Sequence, residues 1–252
     1  MTSGSQTMPS KVAFIGLGNM GGPMAVNLVE AGYPVYGFDL SADARATFAT
    51  AGGVAVEDVV HCVQGADLVV TMLPKGEHVL GVYDQILDHV TAGALMIDCS
   101  TIDVDSARKA SENAISSGRR AVDAPVSGGT AAAEAGTLTF MVGGAIDSFE
   151  ASEPALGIMG KAVIHAGNAG AGQAAKICNN MLLGISMIGT CEAFLLAEKL
   201  GLEAEKLFDI SSKASGQCWS LTSYCPVPGP LPTSPANRDY QPGPGSARAI
   251  GL

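Results

Sequence analysis

The sequence predicts an α/β fold, a doubly wound parallel sheet followed by a smaller all-α C-terminal domain. Short β-branched runs alternate with helical patterns from residue 11 to about residue 166. A glycine-rich turn follows the first of these runs, and a long apolar helix pattern covers residues 167–199. Strands that alternate with helices favour a parallel sheet with helices on both faces.

The first strand pattern, residues 11–15, leads directly into a Gly-x-Gly-x-x-Gly turn and then into a helical pattern. This motif is weak alone, but a strand before it and a helix after it are the context of a Rossmann-type dinucleotide site. The first glycine permits a tight turn, the second lets the backbone approach a pyrophosphate, and the third lets helix and strand pack closely. We therefore predict that the cofactor is bound by Gly16, Gly18, Asn19, Met20 and Gly21.

An acidic residue follows the second strand pattern. Asp39 comes directly after residues 35–38 and lies 21 positions beyond Gly18, where dinucleotide folds place the carboxylate that binds the adenosine ribose. This acid repels a 2′-phosphate and so predicts NAD, although Arg45 is near enough in sequence to neutralise such a phosphate. An ordinary βαβ unit with packing glycines is less favoured, because strand, glycines, helix and acid are all in register.

The alternation continues with strand patterns at 68–73, 94–98, 120–123, 138–142 and 162–165. Ligands in such sheets bind at the carboxyl ends of the strands, where Leu73-Pro74, Ser100-Thr101 and the Ser127-Gly-Gly segment fall. We predict a flexible N-terminus (1–10), an NAD-binding domain (11–166), a long inter-domain helix with the start of an all-α domain for substrate binding and dimerisation (167–217), and a Pro-rich irregular tail (218–252).

The long helix carries three polar residues near its beginning. Lys176, Asn179 and Asn180 are spaced i, i+3 and i+4 and project from one patch of an otherwise apolar helix. One interpretation is that the lysine reaches solvent while the asparagines bind backbone groups. The other is a proton-transfer site, and this pattern alone leaves both open.

Composition narrows the classes of function. The 252 residues are 47% hydrophobic with a net charge of −10 and no basic cluster, which argues against binding nucleic acid or an anionic membrane. The six cysteines show no Cys-x-x-Cys spacing and fit reduced, buried thiols, and with four scattered histidines they predict no metal site. The first ten residues resemble no targeting peptide, and residues 177–197 include polar groups unsuited to a membrane span. We expect a soluble, cytoplasmic protein.

Three segments together resemble the β-hydroxyacid dehydrogenase family: Gly16–Leu28, Asp123–Gly129 and Gly170–Asn180. The likeness covers about residues 10–243. Segments 216–220, 226–229 and 238–243 are most similar to the branch of the family that oxidises 3-hydroxyisobutyrate in valine breakdown. Tartronate semialdehyde reductases resemble these segments less, but stay a competing interpretation.

The resemblance implies roles for single residues. Lys176 would be the catalytic lysine and Asn180 its substrate-binding companion, with NAD as cofactor and a small hydroxy acid as substrate. The substrate carboxylate would be bound by Ser127, Gly128 and Gly129, assisted by Asn179. The cofactor would be lined by Leu73, Pro74, Thr101 and His78, the last standing where relatives often have an asparagine.

The C-terminus departs from the family pattern. After residue 243 the chain reads Pro244-Gly-Ser-Ala-Arg-Ala-Ile-Gly-Leu252, where relatives continue with further helices. We expect an apparently truncated, incomplete all-α domain that leaves apolar residues between 177 and 196 to be covered by another copy, and hence a homo-oligomer (dimer or tetramer). The same departure also permits a form that binds the cofactor but is inactive.

Overall fold

The computed structural model describes residues 10–237. They form two compact units, the first ending at Ile177 and the second beginning at Cys178. Three sequence predictions lie outside the described residues: the N-terminus up to residue 9, the segment 238–243, and the departing end 244–252.

The first unit is built on a nine-stranded sheet whose strands β1 to β6 are all parallel. Its order is β3-β2-β1-β4-β5-β6-β8-β7, with β9 paired to β8. Strand β8 is antiparallel to β6 and β7, and parallel to β9. The predicted doubly wound, parallel-dominated fold is confirmed. The strands are β1 (Val12–Ile15), β2 (Val35–Phe38), β3 (Val54–Ala55), β4 (Leu68–Thr71), β5 (Leu95–Asp98), β6 (Arg120–Asp123), β7 (Val126–Ser127), β8 (Leu138–Gly144) and β9 (Gly160–Gly167).

Helices join the strands and continue into the second unit. Helix α8 runs from the end of the first unit into the second. The sequence did not predict α3, α6, α7 or α10, and α10 lies within the segment predicted to be an irregular tail. The helices are α1 (Gly21–Glu30), α2 (Ala42–Thr50), α3 (Val59–Val63), α4 (Gly76–Ile86), α5 (Val104–Ser116), α6 (Gly129–Glu134), α7 (Ile146–Met159), α8 (Ala171–Lys199), α9 (Ala204–Ser211) and α10 (Trp219–Thr222).

Strand β1 shows why the sheet is covered on both faces. Val12 and Phe14 pack into one hydrophobic core, which includes residues of α1 and α7. Ala13 and Ile15 pack into a second core, with residues of α3, α4 and α5. Successive side chains of a strand point to opposite faces, so a continuous apolar run requires helices on both. Because neighbouring strands among β1, β2, β4, β5 and β6 pair in parallel, their carboxyl ends lie along one edge of the sheet.

The second unit has a small core of its own. Phe194, Leu221 and Cys225 are buried together, and the ring of Trp219 stacks on Tyr224 with 5.1 Å between ring centroids.

By length and composition alone α8 is apolar enough to cross a membrane. Its large apolar side chains are extensively exposed, among them Met181, Leu182, Ile185, Ile188, Leu195 and Leu196.

The cysteines are all free thiols. Cys62, Cys99 and Cys225 are buried as predicted, whereas Cys191 and Cys218 are half-buried and Cys178 is exposed. The expectation that all six were buried is wrong at these three positions. At Cys178 the reason is that the part of α8 that follows the first unit carries apolar residues on exposed faces.

Candidate active site

Close packing of the backbone leaves no space for a side chain at two positions of the glycine turn. Gly16 has a φ of 98°, and a Cβ there would lie 2.2 Å from the Met72 carbonyl oxygen. A Cβ on Gly21 would lie 1.9 Å from the carbonyl oxygen of Gly16. A Cβ on Gly18 would meet nothing within 4 Å. Gly16 and Gly21 thus allow the strand and the helix to pack closely. At Gly18 the absence of a side chain leaves the backbone accessible from the open space beside it.

The backbone between β1 and α1 has free donors. The N–H groups of Gly18, Asn19 and Met20 donate to no residue within 10–237. Free N–H groups at the start of a helix, together with the helix dipole, attract phosphate. The turn is therefore suited to the pyrophosphate of a dinucleotide.

Asp39 is fixed beside this turn. Its Oδ2 accepts a hydrogen bond from the Leu17 N–H (2.7 Å), and its Oδ1 accepts one from the Ser41 N–H (2.8 Å). Arg45 donates from Nη1 to the backbone carbonyl of Asp39 (2.6 Å), so its guanidinium is engaged by main chain. A carboxylate held against a bare glycine turn fits the adenosine ribose and pyrophosphate of NAD.

Leu73 is held to the sheet by a polar cluster that the sequence did not reveal. Its N–H donates to Ser100 Oγ (2.8 Å), and that hydroxyl donates to Asp98 Oδ1 (2.6 Å). Thr71 donates to the same oxygen (2.8 Å), whereas Asp98 Oδ2 is buried without a hydrogen-bond partner. Burial raises the pKa of the Asp98 carboxyl above its usual range. Leu73 is half-buried, and the adjacent Pro74 is exposed.

The first turns of α8 lie against the end of β5. Gln173 accepts a hydrogen bond from the Ile102 N–H (3.1 Å) and donates from Nε2 to the Ser100 carbonyl (2.7 Å). The exposed Thr101 lies between those two bonded residues. The sheet edge near Leu73 is therefore joined to α8 by a continuous set of contacts.

Lys176, one turn beyond Gln173, is 9% exposed. Its amine has neither a hydrogen bond nor an ion pair with any described residue. Burial lowers the pKa of the Lys176 ammonium below its ordinary value. A lysine that served only to reach solvent would be exposed, so this arrangement favours the proton-transfer interpretation.

The Ser127–Gly129 segment runs from the end of β7 to the first residue of α6. Ser127 is half-buried and pairs with Thr139 across β7 and β8. Gly128 and Gly129 have φ values of 137° and 71°, in the region that favours glycine. Both glycines are exposed. No hydrogen bond joins this segment to Lys176 within residues 10–237.

Three further predicted site residues stand apart from these contacts. Asn179 is half-buried and Asn180 exposed, both on the portion of α8 that belongs to the second unit. His78 is exposed in the first turn of α4, with Glu77 beside it. Their roles stay predictions.

The glycine turn, Asp39 beside it and the buried, unpaired amine of Lys176 are the features expected of a nicotinamide-dependent dehydrogenase. Residues 11–167 match the NAD binding domain of 6-phosphogluconate dehydrogenase. Residues 170–245 match the NAD-binding domain of NADP-dependent 3-hydroxyisobutyrate dehydrogenase. The chain belongs to the β-hydroxyacid dehydrogenase family, among the 3-hydroxyisobutyrate dehydrogenases and their relatives.

Similar proteins agree with this assignment. The probable 3-hydroxyisobutyrate dehydrogenase of Mycobacterium tuberculosis is 52% identical over 233 residues, covering 92% of this chain and 79% of the relative. An NAD-dependent L-serine dehydrogenase of Pseudomonas aeruginosa is 49% identical, with 92% and 79% covered. The solved structure of the M. tuberculosis 3-hydroxyisobutyrate dehydrogenase with L-serine superposes with a TM-score of 0.89, at 49% identity over 94% of this chain and 81% of that one.

The described part of the chain has no group of three or more His, Cys, Asp or Glu side chains arranged to hold a metal ion. The site residues are instead backbone donors, one carboxylate and one amine. They fit a dinucleotide and an anionic substrate.

Proposed function

We propose that this NAD-dependent β-hydroxyacid dehydrogenase oxidises 3-hydroxyisobutyrate to methylmalonate semialdehyde, a step of valine breakdown. The observation that carries the proposal is the buried, unpaired amine of Lys176 on the helix bonded to the carboxyl end of β5. The name of the M. tuberculosis relative supports the substrate.

The reaction needs a group that takes a proton from the substrate hydroxyl. Lys176 in its neutral form accepts that proton, and the lowered pKa of its ammonium makes the neutral form more available. The hydroxyl-bearing carbon becomes an aldehyde, and the two electrons leave it with its hydrogen as hydride. When bound, NAD would supply the acceptor for that hydride. In the reverse direction the Lys176 ammonium donates to the carbonyl oxygen.

The substrate carboxylate is assigned to the Ser127–Gly129 segment. Backbone N–H groups next to glycines with positive φ allow an anion to approach closely. Asn179 and Asn180 follow Lys176 on the same helix, and the family likeness supports them as amide donors to the substrate. Asn180 is proposed to bind the hydroxyl that reacts.

Residues of the first unit would hold the cofactor. The Gly16–Gly21 turn suits the pyrophosphate, and Asp39 suits the ribose hydroxyls of NAD. Leu73, Pro74 and Thr101 lie along the carboxyl edge of the sheet toward α8 and would line the rest of the cofactor. His78, at the start of α4, would contact the cofactor as well.

L-Serine is the second candidate substrate, favoured by the 49% identical L-serine dehydrogenase. Serine and 3-hydroxyisobutyrate both carry a primary alcohol β to a carboxylate, and differ in an ammonium or a methyl group at the central carbon. The proposed chemistry at Lys176 is the same for both. Reduction of tartronate semialdehyde is a third possible activity, and a chain that binds the cofactor without turnover is the fourth possibility.

Steady-state kinetics separate these possibilities. NADH formation is followed with 3-hydroxyisobutyrate, with L-serine or with glycerate, the alcohol that corresponds to tartronate semialdehyde. The kcat/KM values for the three substrates are compared. The proposal expects the highest kcat/KM with 3-hydroxyisobutyrate. A higher value with L-serine would reassign the substrate. NADH binding without turnover of any of the three would indicate the inactive form.

We further propose that the enzyme is cytoplasmic and forms a homo-oligomer. The exposed apolar side chains on α8 support self-association, because monomers seldom leave such a row in water. A second copy of the same chain offers an equally apolar surface, as a symmetric dimer requires.

A further inference from the structure

Asp123 contacts the beginning of α8 although it lies far from that helix in the chain. It is the last residue of β6 and 3% exposed. Its Oδ1 accepts a hydrogen bond from the Gly170 N–H (2.7 Å), and its Oδ2 accepts one from the Gln173 N–H (2.9 Å). One carboxylate therefore satisfies two of the donors that a helix leaves free at its start.

Close packing surrounds the same carboxylate. A Cβ on Gly143 of β8 would lie 2.4 Å from Asp123 Oδ1 and 2.7 Å from the Gly172 nitrogen. A Cβ on Gly172 would lie 2.8 Å from Asp123 Oδ2 and 2.3 Å from the Met141 carbonyl oxygen. The start of α8 thus rests directly on the backbone of β6 and β8, with no space for it to shift toward the sheet.

Other helices of this unit are capped differently. Asp58 accepts from the His61 N–H at the start of α3, and Asp103 accepts from the Ser106 N–H at the start of α5. Those caps come from the residue just before each helix, so they stabilise a helix without attaching it to the sheet. The cap on α8 comes from a strand and fixes the helix to the sheet.

We propose that Asp123 is a positioning residue for Lys176, an inference that rests on the proposed role of this lysine. Lys176 follows Gln173 by one turn of the same helix, and the Gln173 side chain is itself bonded to Ser100 and Ile102. A helix is rigid over one turn, so the anchored segment determines where the amine lies. Asp123 does not touch the reacting atoms; it acts through the backbone of α8.

The test compares Asp123→Asn with Asp58→Asn in the full chain. An asparagine at 123 must turn a donor NH₂ toward one of the two N–H groups, whereas Asp58 caps a helix unrelated to the site. Amide hydrogen exchange in residues 170–177 reports the anchor. The pH dependence of acylation of the Lys176 amine reports its surroundings. Neither readout requires turnover.

Asp123→Asn is expected to speed exchange in residues 170–177 by about tenfold or more. It is also expected to raise the apparent pKa of the Lys176 amine toward that of an exposed lysine. In the same variant kcat falls by about tenfold or more, because misplacing a reacting group is costly, while NADH affinity is unchanged. Asp58→Asn changes none of these quantities. If Asp123→Asn does not fold, Asp123→Ser is measured with the same expectations.

The proposal would be overturned if Asp123→Asn showed the same amide exchange rates and the same pH dependence of Lys176 acylation as the unaltered chain. A normal kcat in a variant with altered acylation would overturn it as well. A purely structural Asp123 would lower the melting temperature and leave kcat of the folded enzyme intact. If the unaltered chain shows no turnover, the proposed function fails, whereas exchange and acylation still decide whether Asp123 positions Lys176.

Discussion

The Leu17 N–H donates a 2.7 Å hydrogen bond to the carboxylate of Asp39, joining the glycine turn to the acid that follows the next strand. The segments proposed to bind the pyrophosphate and the ribose are thus part of one bonded structure. We propose that Asp39 has two tasks, to shape the turn and to select the cofactor by charge.

Replacing Asp39 separates these tasks. Asp39→Ser removes the charge and shortens the side chain, and we expect the preference for NAD over NADP in kcat/KM to fall by about 10- to 100-fold. Asp39→Asn removes the charge but keeps an acceptor for Leu17, so it should lose selectivity with less loss of stability. Unchanged selectivity in both variants would show that the acid is merely structural.

The glycine turn predicts opposite effects at two positions. Gly21→Ala places a methyl group against the Gly16 carbonyl, 1.9 Å away before relaxation, and should lower the free energy of unfolding by about 2–4 kcal/mol. Gly18→Ala meets open space, so the melting temperature should be nearly unchanged while NADH binding weakens by about tenfold, or about 1.4 kcal/mol. Thermal unfolding and NADH titration check both. Normal NADH affinity in Gly18→Ala would refute the proposed approach of the pyrophosphate.

Asp98 predicts a pH-dependent stability. Burial raises the pKa of its carboxyl, so the folded state holds this proton more tightly than the unfolded chain. Its stabilising contribution is therefore complete at low pH and is lost as pH rises through the folded pKa. Asp98→Asn stays neutral and places an NH₂ group where Oδ2 lacks a partner, so its stability relative to the unaltered protein should increase with pH.

Urea unfolding at acidic and alkaline pH measures this difference. Asp123, whose pKa is raised to about 6 chiefly by burial, titrates in both proteins. The charge of Asp98 is the smallest of the causes that raise this pKa, so the comparison of the two proteins removes most of the Asp123 contribution. Asp98→Ala is the matched control, since it removes the same titrating carboxyl and also leaves Thr71 and Ser100 without their acceptor. It should be about 1–3 kcal/mol less stable than Asp98→Asn at any pH. A stability difference between Asp98→Asn and the unaltered protein that decreases with pH would contradict the account.

The exposed face of α8 predicts self-association. Ile188 is 66% exposed, and Ile188→Asp should dissociate the oligomer, because a buried charge opposes an apolar interface. Ile115 on α5 is similarly exposed at 58%, and Ile115→Asp should leave the oligomer intact. Light scattering after size exclusion gives the mass of each. A monomeric unaltered chain that stays soluble would refute the proposal.

The sequence predicted most βαβ units because local patterns determine them. The strands at 35–38 and 120–123 have the predicted bounds, and β1 differs by one residue. Helix α7 escaped prediction because Pro154 lies inside it and its residues show little amphipathic order. Helix α6 begins at the second glycine of the Ser-Gly-Gly segment, where glycines with positive φ values favoured a loop.

Long-range contacts were beyond local patterns. The segment beginning at Asp123 is recognisable in the sequence, but its bonds to Gly170 and Gln173 join residues 47 and 50 positions apart. The Asp98, Thr71 and Ser100 cluster likewise forms only when β4 and β5 pair. An acid at the last position of a buried strand was the available signal in both cases.

The most direct measurement is NADH formation from NAD and 3-hydroxyisobutyrate by the unaltered chain, by Lys176→Met and by Lys109→Met. Lys109 is an exposed lysine paired with Glu112. We expect turnover in the unaltered chain and in Lys109→Met. We expect a kcat lower by about 10²- to 10⁴-fold in Lys176→Met, with normal NADH affinity. A kcat for Lys176→Met within about twofold of the unaltered chain would contradict the assignment of Lys176 as the proton acceptor.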